Sequence, residues 1–204
     1  MNLEGNRVDV EAFDAAWRAR WGDLRPIGYE LRGQVPDRWV RFHSSPESKG
    51  WAETDAERAE MQRRHLAVLA DLCEESGTPA DALVMLTESW SWSQKREKRE
   101  KLAKRLRRVL PESAHWRTLR SDPDDGGVWK HSYATSTTLD SRELRALLRM
   151  VARDRAQVII CPESAAWLYH PYYAGGDVIA LDVAIRDRLR DKRADWLSSL
   201  PSGL

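Results

Sequence analysis

From Val8 to Trp21 the apolar residues Val10, Phe13, Ala16, Trp17, Ala19 and Trp21 recur at helical spacings, and Gly22 follows where a C-terminal cap belongs. The spacing predicts a first helix. The period then shortens to two. Tyr29-Glu30-Leu31-Arg32 and Trp39-Val40-Arg41-Phe42-His43 alternate, bounded by the turn signals Arg25-Pro26-Ile27-Gly28 and Pro36-Asp37-Arg38. They predict paired strands, the second with Val40 and Phe42 on one face and Trp39, Arg41 and His43 on the other. After a polar loop from Ser44 to Gly50, Thr54 and Glu57 have the spacing of a capping box. The helix predicted behind them runs to about Glu75, carries Met61, Leu66, Leu69 and Leu72 on its apolar face and ends at Gly77.

Further on, Ala82 to Trp92 reads as a strand, because a short apolar run gives way to alternation of Thr87, Ser89 and Ser91 with Glu88, Trp90 and Trp92. Lys95 to Leu110 predicts an amphipathic helix with Leu102, Leu106, Val109 and Leu110 facing inward. Trp116 to Arg120 and Val128 to Thr135 predict a hairpin across Asp122-Pro123-Asp124-Asp125-Gly126-Gly127. Asp140 is placed to cap a helix buried through Leu144, Leu147, Leu148 and Val151. Strands are predicted at Val158 to Cys161, Ala166 to His170 and Asp177 to Leu181, with a hairpin turn at Gly175-Gly176, and a last helix at about Val183 to Ser198. Long helices thus interrupt short hairpins. The expectation is a single α+β domain over residues 1–204, a mixed, largely antiparallel sheet with about five helices packed on it. Any seam would fall at the basic helix, 95–110.

Composition narrows this picture. Lys and Arg total 33 against 32 Asp and Glu, so the net charge of +1 gives the whole molecule no preference for nucleic acid or an anionic membrane. Local charge is another matter. Nine basic residues against two acidic ones crowd the 95–110 stretch, which makes Lys98, Arg99, Lys101, Arg105 and Arg108 candidates for contact with phosphates or an acidic partner. The two cysteines, Cys73 and Cys161, sit in apolar runs far apart in sequence and read as buried thiols. No leader-like start and no apolar run of about 18 residues is present, so a cytoplasmic protein with no membrane association is expected. The excess of Arg, Ala and Leu suggests a GC-rich bacterial genome.

The C-terminal third combines Trp167-Leu168-Tyr169-His170-Pro171-Tyr172, Gly175-Gly176-Asp177-Val178-Ile179, Arg186-Asp187-Arg188-Leu189, Asp195-Trp196-Leu197 and Pro201-Ser202-Gly203-Leu204. With Arg25-Pro26-Ile27, Trp39-Val40-Arg41-Phe42-His43-Ser44 and Pro46-Glu47-Ser48-Lys49, these stretches resemble an uncharacterised bacterial family, a domain of unknown function. Where similar proteins tend to carry an acidic residue or Asp-Arg-Gly, this chain has Tyr173-Ala174-Gly175. The resemblance implies a bacterial α+β protein and transfers no reaction.

Chemistry-bearing side chains are densest at Arg41, His43, Glu47 and Lys49, where a strand end and its loop would suit an anion or a proton transfer. His170 and Asp177 join them as catalytic candidates, although Asp177 also suits a turn that accepts backbone hydrogen bonds. Trp90 and Trp92 point the same way from one strand and can anchor a partner or stack on a ligand. No His-x3-His or Cys-x2-Cys spacing supports a metal, and no phosphate loop, dinucleotide turn or nucleophile elbow is present, so no cofactor is expected. The leading expectation is a non-enzymatic protein-binding domain, of the immunity or antitoxin type. The alternatives are an enzyme or nucleic-acid-processing accessory built on Arg41, His43, Glu47, His170 and Asp177, and phosphate-backbone binding by the basic helix.

Overall fold

A computed structural model describes residues 7–46, 51–95, 101–121 and 127–198. Helix α1 spans Val10–Trp21, capped by Asp9, whose carboxylate accepts from the Glu11 and Ala12 amides. Its C-cap Gly22 has φ 58°, a conformation that disfavours a Cβ. A 3-10 turn at Gly28–Glu30 runs into the four-residue helix α2, Leu31–Gln34. The strand expected over Tyr29 to Arg32 is therefore helical. Ile27 and Leu31 stand at i and i+4, both buried, and this spacing outweighs a four-residue alternation.

Strand β1 (Trp39–His43) has the expected faces, with Val40 and Phe42 buried. Helix α3 (Asp55–Ser76) begins with the Thr54–Glu57 capping box and ends at Gly77 in the left-handed region. There follow β2 (Leu83–Ser91), α4 (Lys101–Val109), β3 (Ala114–Arg120), β4 (Trp129–Thr137), α5 (Arg142–Val151), β5 (Val158–Pro162), β6 (Leu168–Tyr172), β7 (Gly175–Ile179) and α6 (Val183–Lys192). The cap of α5 is Ser141 rather than Asp140: its hydroxyl accepts from the Leu144 amide, while Asp140 bonds to the Thr138 hydroxyl. The last helix also stops sooner than its pattern predicts, giving way to a 3-10 turn at Ala194–Trp196 that buries Trp196. Most of the turn cluster between β3 and β4, residues 122–126, lies outside the described residues.

The seven strands form one sheet in the order β1-β7-β6-β5-β2-β4-β3. Every pairing among the described residues is antiparallel, so the expected mixture of directions is absent from it. One face packs against α3, α5 and α6 through Val68, Leu69, Leu72, Leu144, Leu148, Ile185 and Leu189. Leu106 and Leu110 bring the basic stretch into this core. The opposite face carries a second cluster, in which Phe13, Trp17 and Trp21 of α1 meet Trp116, Leu86, Ile159 and Leu168. Burying these rings is the larger part of what holds α1 down, since aromatic side chains remove the most apolar area from water. Cys73 and Cys161 are buried free thiols, as expected.

The two glycines expected to make a turn lie instead in β7. The turn falls one step earlier, at Tyr173-Ala174. A Cβ on Gly176 would stand 2.4 Å from the Tyr169 hydroxyl oxygen, and one on Gly175 would stand 2.6 Å from the Phe42 carbonyl oxygen. Glycine is required there by close approach, not by turn geometry.

Candidate functional site

Register across three neighbouring strands builds the site. Arg41 on β1 faces Asp177 on β7, and Asp177 faces His170 on β6, so the three stand side by side in one row. Asp177 is buried and accepts from Arg41 Nε at 2.8 Å, Arg41 Nη2 at 3.1 Å and Trp39 Nε1 at 3.0 Å. The expected role of Asp177 in a turn is corrected accordingly: it is an in-strand partner of Arg41. Burial works against the Arg41 charge, but hydrogen bonds and attraction from Asp177 more than offset it, and the guanidinium stays charged. It also lies 5.5 Å from the centres of the Trp39 and Tyr172 rings.

His170 donates from Nδ1 to the Val158 carbonyl at 2.9 Å, which leaves Nε2 as the acceptor of the neutral ring. Burial lowers its pKa, outweighing the help of that carbonyl and of Asp177. The backbone of Gly28 lies on the imidazole, with space for no Cβ: one there would stand 2.3 Å from Cε1 and Nδ1. The 3-10 turn that replaces the expected strand thus serves to wall the site.

Beyond the edge of α1 this sheet face opens into a cavity of about 630 Å³. Arg41, Asp177, His170 and Tyr172 line one end of it, Leu86, Glu88, Trp90 and Lys130 the other, with Ile27, Gly28, Tyr29, Arg32 and Trp92 completing the lining. Of the residues singled out from sequence, Arg41, His170, Asp177, Trp90 and Trp92 are brought together. His43 shares the Arg41 face of β1 but does not line the cavity. Its pKa is lowered, chiefly by burial and then by the Arg41 cation. Glu47, Lys98 and Arg99 lie outside the described residues, as does the side chain of Lys101, while Arg105 and Arg108 are exposed on α4.

Glu88 was not singled out by sequence reasoning. It shares a strand face with Leu86 and Trp90, and its cross-strand neighbours on β4 are Ser132 directly and Lys130 one pair away. No hydrogen bond or ion pair holds its carboxyl among the described residues. Burial pushes it up to about 7, against the pull of Lys130. The signal was available: a lone carboxylate on the face of a strand otherwise occupied by Val84, Leu86 and two tryptophans. A carboxyl raised toward neutral pH in a cavity can accept, donate or transfer a proton.

The family comparison covers this whole region. A family model described as a domain of unknown function (DUF3885) matches residues 27–201. The chain belongs to that family. The DUF3885 match takes in the cavity lining from Ile27 to Asp177 and leaves α1 outside it. No curated protein matches the chain, and no solved structure does.

A second cavity, of about 850 Å³, lies where β2 and β3 meet the stretch around α4, and Glu88 and Ser89 line it as well. Behind it runs a chain of hydrogen bonds. Ser91 Oγ donates to the Ser93 carbonyl at 2.5 Å and contacts His131 Nε2 at 2.8 Å. His131 Nδ1 meets Thr118 Oγ1 at 3.0 Å, and His115 Nε2 meets the same oxygen at 2.9 Å. With the Ser91 proton committed to Ser93, His131 Nε2 donates to Ser91 and Nδ1 accepts from Thr118. Ser91 and His131 are both about 1% exposed, so the chain fixes β2, β3 and β4 together and offers no accessible nucleophile. No group of three His, Cys, Asp or Glu placed to hold a metal occurs among the described residues, nor any helix long and apolar enough to cross a membrane.

Proposed function

We propose that this domain binds a small organic molecule in the cavity between the Arg41–Asp177–His170 row and Trp90. The observation that carries this reading is the Glu88 carboxyl, without a hydrogen-bonding partner among the described residues, in a cavity lined by aromatic and aliphatic side chains. Leaving a polar group unmatched costs free energy unless a ligand or water satisfies it, and apolar walls with few convergent polar groups are the usual make-up of a ligand pocket. The ion-paired Arg41 and the carbonyl-bound His170 are held in fixed orientations, as a binding surface requires. The test is a screen of small aromatic and heteroaromatic compounds read by the indole N–H signals of Trp90 and Trp92. Compounds that bind shift both signals. A broad library that shifts neither at millimolar concentration removes the reading.

A second reading is supported by the exposure of the same rings. Trp90 is 47% and Trp92 71% exposed, and they meet edge to face at 5.8 Å. Such a pair suits a protein partner, of the immunity or antitoxin kind in a bacterial cytoplasm, which would anchor on the rim. The Trp90→Ala/Trp92→Ala protein should then lose a neighbouring-gene product that the parent retains. Phosphate-backbone contact by α4 rests on the exposed Lys104, Arg105, Arg107 and Arg108. It predicts duplex binding that falls steeply with salt.

A further inference from the structure

The cavity contains enough chemistry to name the class of molecule it selects. We infer that it takes a neutral planar nitrogen heterocycle with two adjacent N–H donors, a guanine-type edge, which pairs with the two oxygens of Glu88 while the ring lies against Trp90 and Trp92. This rests on the small-molecule reading above.

Three observations lead there. The first is the shape of the acceptor. A carboxylate presents two coplanar oxygens with no donor of its own, and two parallel N–H groups match it in the way a guanidinium does. Among the described residues nothing else holds those oxygens, so the match is open. The second is charge. The groups that act on Glu88 are Lys130 from β4 and Arg25 and Glu30 from the segment before and within the 3-10 turn. Arg32 and the Asp177-paired Arg41 line the same cavity, and His170 opposite is neutral. Asp154 lines the cavity too, so Arg25, Arg32, Arg41 and Lys130 stand against Glu30, Asp154 and Asp177, with Arg25 paired to Glu30 and Arg41 to Asp177; a cationic ligand would add to this excess, and a neutral donor pair is the better complement. The third is the rim. The Trp90 and Trp92 rings both line the cavity while exposing much of their surface, and Tyr29 lines it beside them. Indole faces stack on any flat heterocycle, which supplies affinity, and the carboxylate edge supplies selection.

The experiment uses the full chain with guanosine and adenosine as probes, titrated by tryptophan fluorescence. Adenosine has the same flat bicyclic ring and lacks the adjacent donor pair. Guanosine is expected to bind at least tenfold more tightly at pH 8, the range expected for hydrogen bonds to a charged group. Glu88→Gln, with a donor in place of one oxygen, is expected to weaken guanosine at least tenfold and abolish that preference. Guanosine affinity should fall toward that of adenosine as the pH drops below 7, as the carboxyl takes up the proton that occupies one of its oxygens. The same titration on Glu88→Gln separates the Glu88 contribution from that of any other group lining the cavity. Equal affinity for the two nucleosides, or a preference that survives Glu88→Gln, overturns the assigned ligand class and leaves the cavity a binding site for something else. If neither nucleoside binds while other compounds of the screen shift the indole signals, the donor-pair assignment again fails and small-molecule binding stands. If no compound binds at all, both fail together. A thermal melt of the Glu88→Gln protein confirms that it is folded.

Discussion

Replacing Asp177 by Ala removes the carboxylate that pairs with Arg41 among the described residues. The Arg41 side chain is 15% exposed and that of Asp177 3%, so the pair is screened little by solvent. Three donors lose their acceptor at once: Arg41 Nε, Arg41 Nη2 and Trp39 Nε1. Breaking such a pair from one side costs about 3–5 kcal/mol, because the remaining charge is left desolvated and unpaired. For a chain of this size that corresponds to a fall in Tm of roughly 6–20 °C. Removing both charges is different in kind. Arg41→Met/Asp177→Leu retains apolar volume and leaves no orphan charge, so it should be less destabilised than Asp177→Ala alone. Urea denaturation followed by circular dichroism, with the m-value checked for constancy, measures both. A loss under about 1 kcal/mol for Asp177→Ala would show that water reaches the guanidinium freely. A double variant whose loss equals or exceeds that of Asp177→Ala would refute the argument that the orphaned charge, rather than the pair itself, carries the cost.

Three further outcomes are expected. Gly176→Ala forces a methyl against the Tyr169 ring, which is itself fixed by His65 at 2.7 Å, and should cost about 1–3 kcal/mol in the same urea assay; a neutral result would mean that the ring has room to retreat. Glu88 is raised from 4.5 to about 7, so protonation is favoured by folding, and the stability linked to it is complete below pH 4.5 and lost as the pH rises through 7. Glu88→Gln should therefore gain on the order of 1–2 kcal/mol over the parent at pH 8 and nothing at pH 4, compared by denaturation midpoints. Glu60 and His65 have the opposite sign. Glu60 is held at about 2, chiefly by Arg63, and burial pushes His65 down to about 4, so both contribute stability above their ordinary values of 4.5 and 6.5 that is lost as the pH falls. In the Glu88→Gln background, which removes the opposing Glu88 contribution, the urea midpoint should decline as the pH falls from 6.5 toward 4 and further toward 2, and adding Glu60→Gln should remove only the part below 4.5.

The helix signals in the chain were strong because they are local. Thr54 and Glu57 specify the start of α3, and Gly77 its end, without help from the rest of the molecule. The same holds for the inward and outward faces of β1, which alternation alone assigns. Short or ambiguous stretches needed their surroundings. Tyr29 to Arg32 alternates too briefly to exclude a helix, and the matter is settled only when a sheet face is present to receive Leu31 and Ile27 is buried as well. Gly175-Gly176 carries a turn-like composition, yet the Tyr169 ring and the Phe42 carbonyl demand glycine in a strand.

The site divides along the same line. The sequence by itself determined the longer elements, the α+β class, the buried thiols and the residue types with chemistry to offer, because these follow from spacing along the chain and from side-chain polarity. Only the tertiary structure decided that residues 41, 170 and 177 form one row, since that depends on the register of β1, β7 and β6, which no local spacing encodes. It also decided that Glu88 matters. A glutamate in a strand is unremarkable until the sheet places it beside Trp90 over a cavity, where burial and the lack of a partner change what its carboxyl can do.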